Sequence, residues 1–367
     1  MTNDSLNILE VRNIKIKRAG ALLVDIPFLQ IERGELLSLI GPNGAGKTTL
    51  LLALAGLMKP TTGEISFRGQ KIGSDYSIFE YRRNLAMVFQ EPLLFNTTVL
   101  KNVASGLTIR GMEKKQIRQI VKESLERFGI GHLGERSART LSGGEAQRTS
   151  LARAFAIHPE ILFLDEPFAA LDPPTREALI EDLQAVLQET HTTTIFATHD
   201  RAEALRLSDR IGVMNDGCIL QIGAPEEVMN HPMNEFVANF VGVETILRGK
   251  VIRRDEGSFV TLVSDHEIEA VGDVKLGESV ALCIRPENVT LSTASRSETT
   301  SARNVFHGRI TKITPLGFFQ RIQLDCGFLL VAYVTRHSVD ELSLGEGKDV
   351  NASFKATAIH VVRKREK

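Results

Sequence analysis

Two spacings of apolar side chains divide this chain. Ile8, Val11, Ile14 and Ile16 alternate with charged residues, and Ile26 to Ile31 repeats the alternation, which predicts antiparallel strands with one wet face. Short uninterrupted apolar runs follow at Leu36 to Ile40, Leu85 to Phe89, Ile161 to Leu164 and Thr194 to Thr198. Such runs predict strands buried on both faces, the habit of a parallel sheet. Between them the period lengthens to that of helices. One spans Leu50 to Met58 with Gly56 near its end; Lys59 to Glu64 then reads as a turn into a short strand, Ile65 to Arg68. A helical pattern fills Val99 to Phe128, with Ile117, Ile120, Val121, Leu125 and Phe128 on one face. Another starts at Ser142 and runs through Leu151, Ala154 and Phe155. A further helix starts at Pro173-Pro174 and turns Leu179, Ile180, Leu183, Val186 and Leu187 inward; a short one covers Arg201 to Leu207. Ile211 to Met214 and Cys218 to Ile222 flank Asn215-Asp216-Gly217, a hairpin signal. The alternation predicts an α/β fold.

Beyond Val243 the pattern becomes that of short strands: Ser258 to Val263, Ser279 to Ile284, Gln320 to Leu324, Phe328 to Val334 and Val350 to Phe354. Gly277 to Arg285 echoes Gly347 to Lys355, each a glycine, an alternating strand and a terminal cation. The duplication predicts two small interleaved barrels of the oligonucleotide-binding type. Ser292 to Thr300 reads as a polar linker rich in serine and threonine.

At 367 residues the chain exceeds the usual limit of one core, so two domains are expected. Lys plus Arg (44) nearly balances Asp plus Glu (45), so no global positive field exists to hold nucleic acid, and neither a basic stripe nor exposed aromatic pairs are evident. Cys218, Cys283 and Cys326 lie far apart, which indicates neither a disulfide framework nor a zinc site and fits a reducing compartment. Met1 to Ile14 lacks the architecture of a secretion signal, and no apolar run nears the roughly 20 residues of a membrane span. A membrane role is therefore expected to come through a partner.

The chemistry begins after Ile40. Gly41-Pro42-Asn43-Gly44-Ala45-Gly46-Lys47-Thr48-Thr49 lies between a strand and a helix, the setting of a phosphate-binding loop. Gly41, Gly44 and Gly46 let backbone N–H groups turn toward phosphates, with Asn43 and Thr49 in the same loop. Lys47 supplies a point charge and the Thr48 hydroxyl can ligate Mg²⁺. Gln90, at the end of a buried strand, can reach a metal or an attacking water through its amide oxygen, or is an ordinary loop residue. Ser142 and Glu145 form a capping box; Gly143 and Gly144 leave N–H groups open to an anion. Either Ser142 only caps its helix, or it addresses a nucleotide held by another copy of the chain.

These elements together resemble the ATPase subunit of an ATP-binding cassette (ABC) transporter: the loop Gly41 to Thr48, then Gln90, then Leu141-Ser142-Gly143-Gly144-Glu145, in that family's order, over roughly residues 6 to 240. The expected fold class is a P-loop ABC cassette of α/β type with a helical subdomain at about 91–157, in a domain spanning 1–240. A C-terminal all-β barrel domain takes 241–367. Asp165, at the end of a buried strand, is expected to hold Mg²⁺ through water and Glu166 to polarise the attacking water. The resemblance makes His199 the switch histidine beside the terminal phosphate and Leu171-Asp172 a dimer-contact loop; Asp172 also suits a helix cap. The family commonly stacks adenine on an aromatic residue, and here Arg18 stands at or near that place, where a guanidinium can stack instead.

The C-terminal part resembles the molybdate-binding small domain of some oxyanion importers' ATPases. That resemblance implies that Ser301, Ala302, Arg303 and Lys355 hold a tetrahedral dianion from one side, while Thr335 and Ser338 complete the site from a neighbouring copy. The implied protein is a homodimer using ATP and Mg²⁺ beneath two transmembrane permease subunits, at the cytoplasmic face of the inner membrane. It is served indirectly by an external oxyanion-binding protein and senses a regulatory oxyanion through its C-terminal domain, with no nucleic acid partner. The implied cargo is tungstate or molybdate; related barrels serve as spacers in sulfate, sugar, polyamine and iron importers, so an inert C-terminal domain stays open. Soluble ABC ATPases of translation or repair carry two cassettes or a coiled-coil insertion, and this chain carries neither.

Overall fold

The computed structural model describes residues 7–293 and 301–363. The chain divides into two compact units, Met1–Pro225 and Glu226–Lys367.

In the first unit β1 (Asn7–Arg18) and β2 (Ala21–Glu32) form an antiparallel hairpin, followed by β3 (Leu36–Ile40) and α1 (Lys47–Leu54). Strands β4 (Thr62–Phe67) and β5 (Gln70–Lys71) add to the hairpin, and α2 (Ile78–Arg83) leads into β6 (Leu85–Val88). Helices α3 (Val99–Ile109), α4 (Lys114–Arg127) and α5 (Gly143–Ala156) precede β7 (Ile161–Asp165), α6 (Pro173–Thr190), β8 (Thr193–Thr198), α7 (Arg201–Leu207), β9 (Arg210–Asn215) and β10 (Cys218–Gly223). The first sheet runs β2-β1-β4-β5. The second runs β10-β9-β3-β8-β7-β6 and is parallel except at the β9–β10 hairpin.

The uninterrupted apolar runs have the predicted cause. Ile161 and Phe163 face a core shared with α1 and the antiparallel sheet (Ile14, Val24, Leu50, Leu54, Phe67), whereas Leu162 and Leu164 face the helices through Val103, Leu125, Phe155 and Leu183. A strand buried on both faces cannot alternate.

Several boundaries differ from those the sequence predicts. Helix α1 starts inside the glycine loop at Lys47 and stops at Leu54, whose carbonyl accepts from the fully buried Tyr81 hydroxyl at 2.6 Å; Gly56 then turns at φ 67. Strand β4 begins at Thr62 rather than Ile65, because Gly63 (φ 87) lies where the register with β1 shifts and a Cβ there would run into the backbone of Asn13. The helical pattern from Val99 to Phe128 is two helices, divided at Gly111 in the left-handed region (φ 74). The β9–β10 turn has positive φ at Asp216 and Gly217, as a tight hairpin of this twist requires.

In the second unit α8 (Pro225–Asn230) and α9 (Glu235–Phe240) lead into two copies of one strand pattern. The first is β11 (Thr245–Arg254), β12 (Ser258–Val263), β13 (His266–Val271), β14 (Ser279–Ile284) and β15 (Thr290–Ser292). The second is β16 (Asn304–Leu316), β17 (Phe319–Asp325), β18 (Leu329–Thr335), the short α10 (Arg336–Glu341), β19 (Asp349–Phe354) and β20 (Ile359–Arg363). The sheets run β13-β12-β11-β14-β20 and β15-β19-β16-β17-β18, so each copy's last strand lies in the other's sheet. The two copies share a main core, in which Val280, Leu282 and Ile284 pack with Ile310, Leu324, Leu330 and Phe354, while Ala281, Cys283 and Val362 pack on Ala238 and Val243 in a smaller cluster. Strands β11, β13, β15, β16 and β20 go beyond the sequence reading, and most of the linker predicted at 292–300 lies outside the described residues.

Candidate active site

The parallel sheet brings its working residues to one edge. Ile40 pairs with Thr198, and Asp165 with Ala197, so the glycine loop, Asp165-Glu166 and His199 all leave the carboxyl ends of neighbouring strands. This is where an open α/β sheet binds ligands. Two glycines of the loop are dictated by contact. A Cβ on Gly41 would run into the carbonyl of Met214 in β9, and one on Gly46 (φ 98) would stand 2.9 Å from the carbonyl oxygen of Leu23 in β2. Gly46 is also the N-cap of α1, so the helix opens directly onto the loop.

Lys47 is buried, and its ammonium donates to the carbonyls of Gly41 (2.8 Å) and Pro42 (3.2 Å) while lying 3.5 Å from Glu166 Oε1. Glu166 Oε2 is 3.0 Å from His199 Nδ1. One carboxylate therefore bridges the loop lysine and the histidine. Glu166 takes φ 46 and its N–H donates to the carbonyl of Ala197 at 2.9 Å, which turns its side chain in over the sheet edge. Beside it Thr48 donates to Asp165 Oδ1 at 2.9 Å. Burial pushes the Asp165 carboxyl up and the Glu166 charge adds to this, against the Thr48 hydrogen bond and Lys47.

Thr48 and Asp165 offer two hard oxygens side by side, and among the described residues no cluster of three or more His, Cys, Asp or Glu could hold a metal ion. That set fits Mg²⁺, which keeps water and phosphate oxygens in most of its positions and takes one or two from protein.

Gln90 lies just past β6 and is exposed. The preceding residue is held from α5: Gln147, 2 % exposed, donates to the carbonyl of Phe89 at 3.4 Å, and Arg153 donates to that of Leu93 at 2.7 Å. The helix that Ser142 starts thus grips the segment around Gln90 on both sides. Gln147 and Arg153 escaped the sequence reading; Gln147 stands in the motif beginning at Leu141, a polar residue on an apolar helix face, and that was the available signal.

The capping box is present: Ser142 N–H donates to Glu145 Oε2 at 2.8 Å and Glu145 N–H to Ser142 Oγ at 3.3 Å, and the Ser142 N–H bond holds the Glu145 carboxyl below its ordinary value. A Cβ on Gly144 would stand 2.5 Å from Thr175 Cγ2, so this glycine lets α5 abut the start of α6, whereas Gly143 faces open space. Asp172 caps α6 through Thr175 N–H (3.4 Å). Ser142, Gly143, Gly144 and Asp172 line one open cleft of about 530 Å³ that includes no residue of the glycine loop. Arg18 is exposed at the end of β1, paired with Ala21 across the hairpin turn that leads to Leu23.

In the second unit Asn304 pairs with Phe354, which sets exposed Arg303 and Lys355 at adjoining strand ends; Ser301 is exposed and Ala302 half-buried. Asn304 itself is buried and exchanges two 2.9 Å hydrogen bonds with the Glu269 backbone of β13, pinning the start of β16. Thr335 Oγ1 accepts from Ser338 N–H at 3.2 Å and lies 3.0 Å from Ser338 Oγ. Phe319 pairs with both Leu316 and Thr335, so these hydroxyls belong to the opposite end of β16 from Arg303.

A glycine phosphate loop on a parallel sheet, with consecutive carboxylates and a histidine on adjacent strand ends and a helical subdomain carrying Ser142, defines an ATPase of the cassette type. Residues 25–169 match the ABC transporter family model and residues 300–361 the TOBE domain model. The molybdate/tungstate import ATP-binding protein WtpC of Pyrococcus horikoshii is 39% identical over 96% of this chain and 99% of its own. The sulfate/thiosulfate import ATP-binding protein CysA of Thermosynechococcus vestitus is 38% identical over 86% of this chain and 87% of its own. The spermidine/putrescine import ATP-binding protein PotA of Spiroplasma citri is 35% identical over 98% of each. The structure of cbiO1 from Clostridium perfringens, part of the ABC transporter complex cbiONQ, superposes with a TM-score of 0.57 at 33% identity, covering 61% of this chain and 90% of that one. The chain belongs to the ABC transporter family as an ATP-hydrolysing subunit, and it ends in a TOBE domain. Among its described residues no helix is long and apolar enough to cross a membrane.

Proposed function

We propose that this chain energises an importer of molybdate or tungstate. The cassette is taken as 1–240, with its helical subdomain at about 91–157, and the regulatory domain as 241–367. Two copies work beneath two permease subunits at the cytoplasmic face of the membrane, supplied by an external oxyanion-binding protein. ATP lies between the loop of one copy (Gly41, Asn43, Gly44, Gly46, Lys47, Thr48, Thr49) and Ser142, Gly143 and Gly144 of the other, with Asp172 at the contact and Arg18 beside the base. Glu166 takes the proton of the attacking water and His199 orients it; Thr48, Asp165 and Gln90 hold Mg²⁺, which supplies charge neutralisation for the transferring phosphoryl group. What supports the two-copy reading is that Ser142 and Asp172 line a cleft apart from the phosphate loop.

The oxyanion reading is carried by one observation: the Asn304–Phe354 register sets Arg303 beside Lys355 at a surface where neither cation has a carboxylate partner among the described ion pairs. Two cations suit a tetrahedral dianion; Thr335 and Ser338, at the far end of β16, reach it from a second copy. Isothermal titration of the full chain with tungstate, molybdate and sulfate tests this. Micromolar or tighter tungstate binding, weakened at least about tenfold in Arg303→Ala, is expected for two charge-assisted contacts. Absence of binding would favour the second reading, an importer of sulfate, iron, sugar or polyamine with an inert C-terminal domain, to which the sulfate and polyamine relatives give weight.

A further inference from the structure

Arg176 stands in the first turn of α6, where its backbone N–H donates to the carbonyl of Asp172 at 2.9 Å. Its guanidinium reaches in two directions. Nη2 donates to the carbonyl of Leu171 at 3.4 Å, and Nη1 lies 3.7 Å from Asp200 Oδ2. Nε is buried and makes no hydrogen bond among the described residues. A buried donor without a partner is destabilising, and a half-exposed ion pair contributes little, so stability alone is a poor account of this side chain.

The two groups it touches belong to different loops. Leu171 and Asp172 form the loop ahead of α6, and Asp200 directly follows His199. Asp200 is itself tightly built in. Its Oδ1 accepts from Ala202 N–H at 2.8 Å, and its N–H donates to Thr198 Oγ1 at 3.0 Å. The Thr198 hydroxyl in turn donates to buried Glu203 at 2.5 Å. His199 is thus clamped between two anchored neighbours, and its ring meets Glu166 at 3.0 Å. A pull on Asp200 is transmitted to the imidazole because little slack remains on either side.

We propose that Arg176 is a positioning residue for hydrolysis. Its fork ties the loop ending in Asp172 to the loop carrying His199, so that docking at one sets the orientation of the other over Glu166. A guanidinium suits this task because its planar donors can address a carbonyl and a carboxylate at once, which a lysine cannot reproduce. The proposal rests on the reading of the Asp172 loop as the contact with a second copy.

The test is steady-state hydrolysis of Mg-ATP by the full chain in wild type, Arg176→Gln, Arg176→Lys, Asp200→Asn and the double variant Arg176→Gln/Asp200→Asn, with melting temperatures alongside. Asn at 200 keeps the helix-capping oxygen and removes the charge. Arg176→Gln is expected to lower kcat about tenfold with KM within about twofold, Arg176→Lys to recover part of the loss, and the double variant to be no slower than its slower parent. An Arg176→Gln kcat within about twofold of wild type, whatever happens to the melting temperature, or losses that multiply in the double variant, would overturn the proposal. Insensitivity of wild-type turnover to Ser142→Arg would remove the two-copy reading and leave the Arg176 comparison standing as a contact inside one subunit.

Discussion

Glu166 occupies backbone space that non-glycine residues enter at a cost of about 1–2 kcal/mol, and it does so at φ 46. In this conformation its carboxylate lies between Lys47 and His199. Glu166→Gln preserves the shape and hydrogen-bonding reach but removes the proton acceptor. It is expected to lower ATP hydrolysis by at least about 100-fold while a fluorescent ATP analogue still binds within a few-fold of wild type, and substantial remaining turnover would reject the base assignment. The placement of Asp165, Glu166 and His199 was legible because each closes or follows an apolar run whose burial fixes where it ends, and that of Lys47 and Thr48 because of their spacing in the glycine loop; the role of His199 came from the family resemblance alone. Gln147, Arg153 and Arg176 were not legible. Their roles depend on which backbone carbonyl the far end of a long side chain meets, and for Gln147 and Arg153 that carbonyl is remote in sequence. Asn304 is the same case in the second unit: its amide meets the backbone of Glu269 in β13, which no local pattern announces.

At the scale of elements, the parallel strands announced themselves and the barrel strands half did. Strand β16 is the longest of its sheet, yet His307, Arg309 and Lys312 on its wet face, together with Gly308 and Pro315, make it read as loop. Only Asn304, Gly308 and Ile310 are fully buried along it, too few to give a period. The recurrence of Gly277 to Arg285 at Gly347 to Lys355 carried more information than either copy: each strand is followed by a cation, a single 3₁₀ turn and a last strand, β15 or β20. Strand β20 completes the edge of β14 and buries Ile359 and Val362. Ending the chain at Ala358 removes both side chains and the strand pairing. At about 1.5–3 kcal/mol for each buried aliphatic residue, the loss is about 3–6 kcal/mol. Calorimetry of this truncated chain is expected to show the transition of the C-terminal unit greatly lowered or absent while the cassette still melts cooperatively.

At the scale of the whole molecule, the reading of two copies sharing each nucleotide makes a prediction that neither subunit alone can satisfy. A chain with Lys47→Ala has a sound Ser142, and one with Ser142→Arg has a sound Lys47. In a mixed pair related by a twofold axis, one site receives both intact halves and the other neither. Each variant alone is expected to be inactive, and an equal mixture to recover about a quarter of the wild-type rate, since half the pairs are mixed and each has one working site. A mixture as silent as its components would count against the shared site. The same attention to what is completed by what applies inside the C-terminal unit. Its first sheet opens with β11 at Thr245 and receives its outer strand only with Ile359–Arg363. During synthesis that sheet stays one strand short until Ile359–Arg363 has emerged, so neither repeat can settle early, and the unit is committed to folding late, as a single piece, by strand pairs 75 to 83 residues apart (Ile284 with Ile359, Val280 with Arg363).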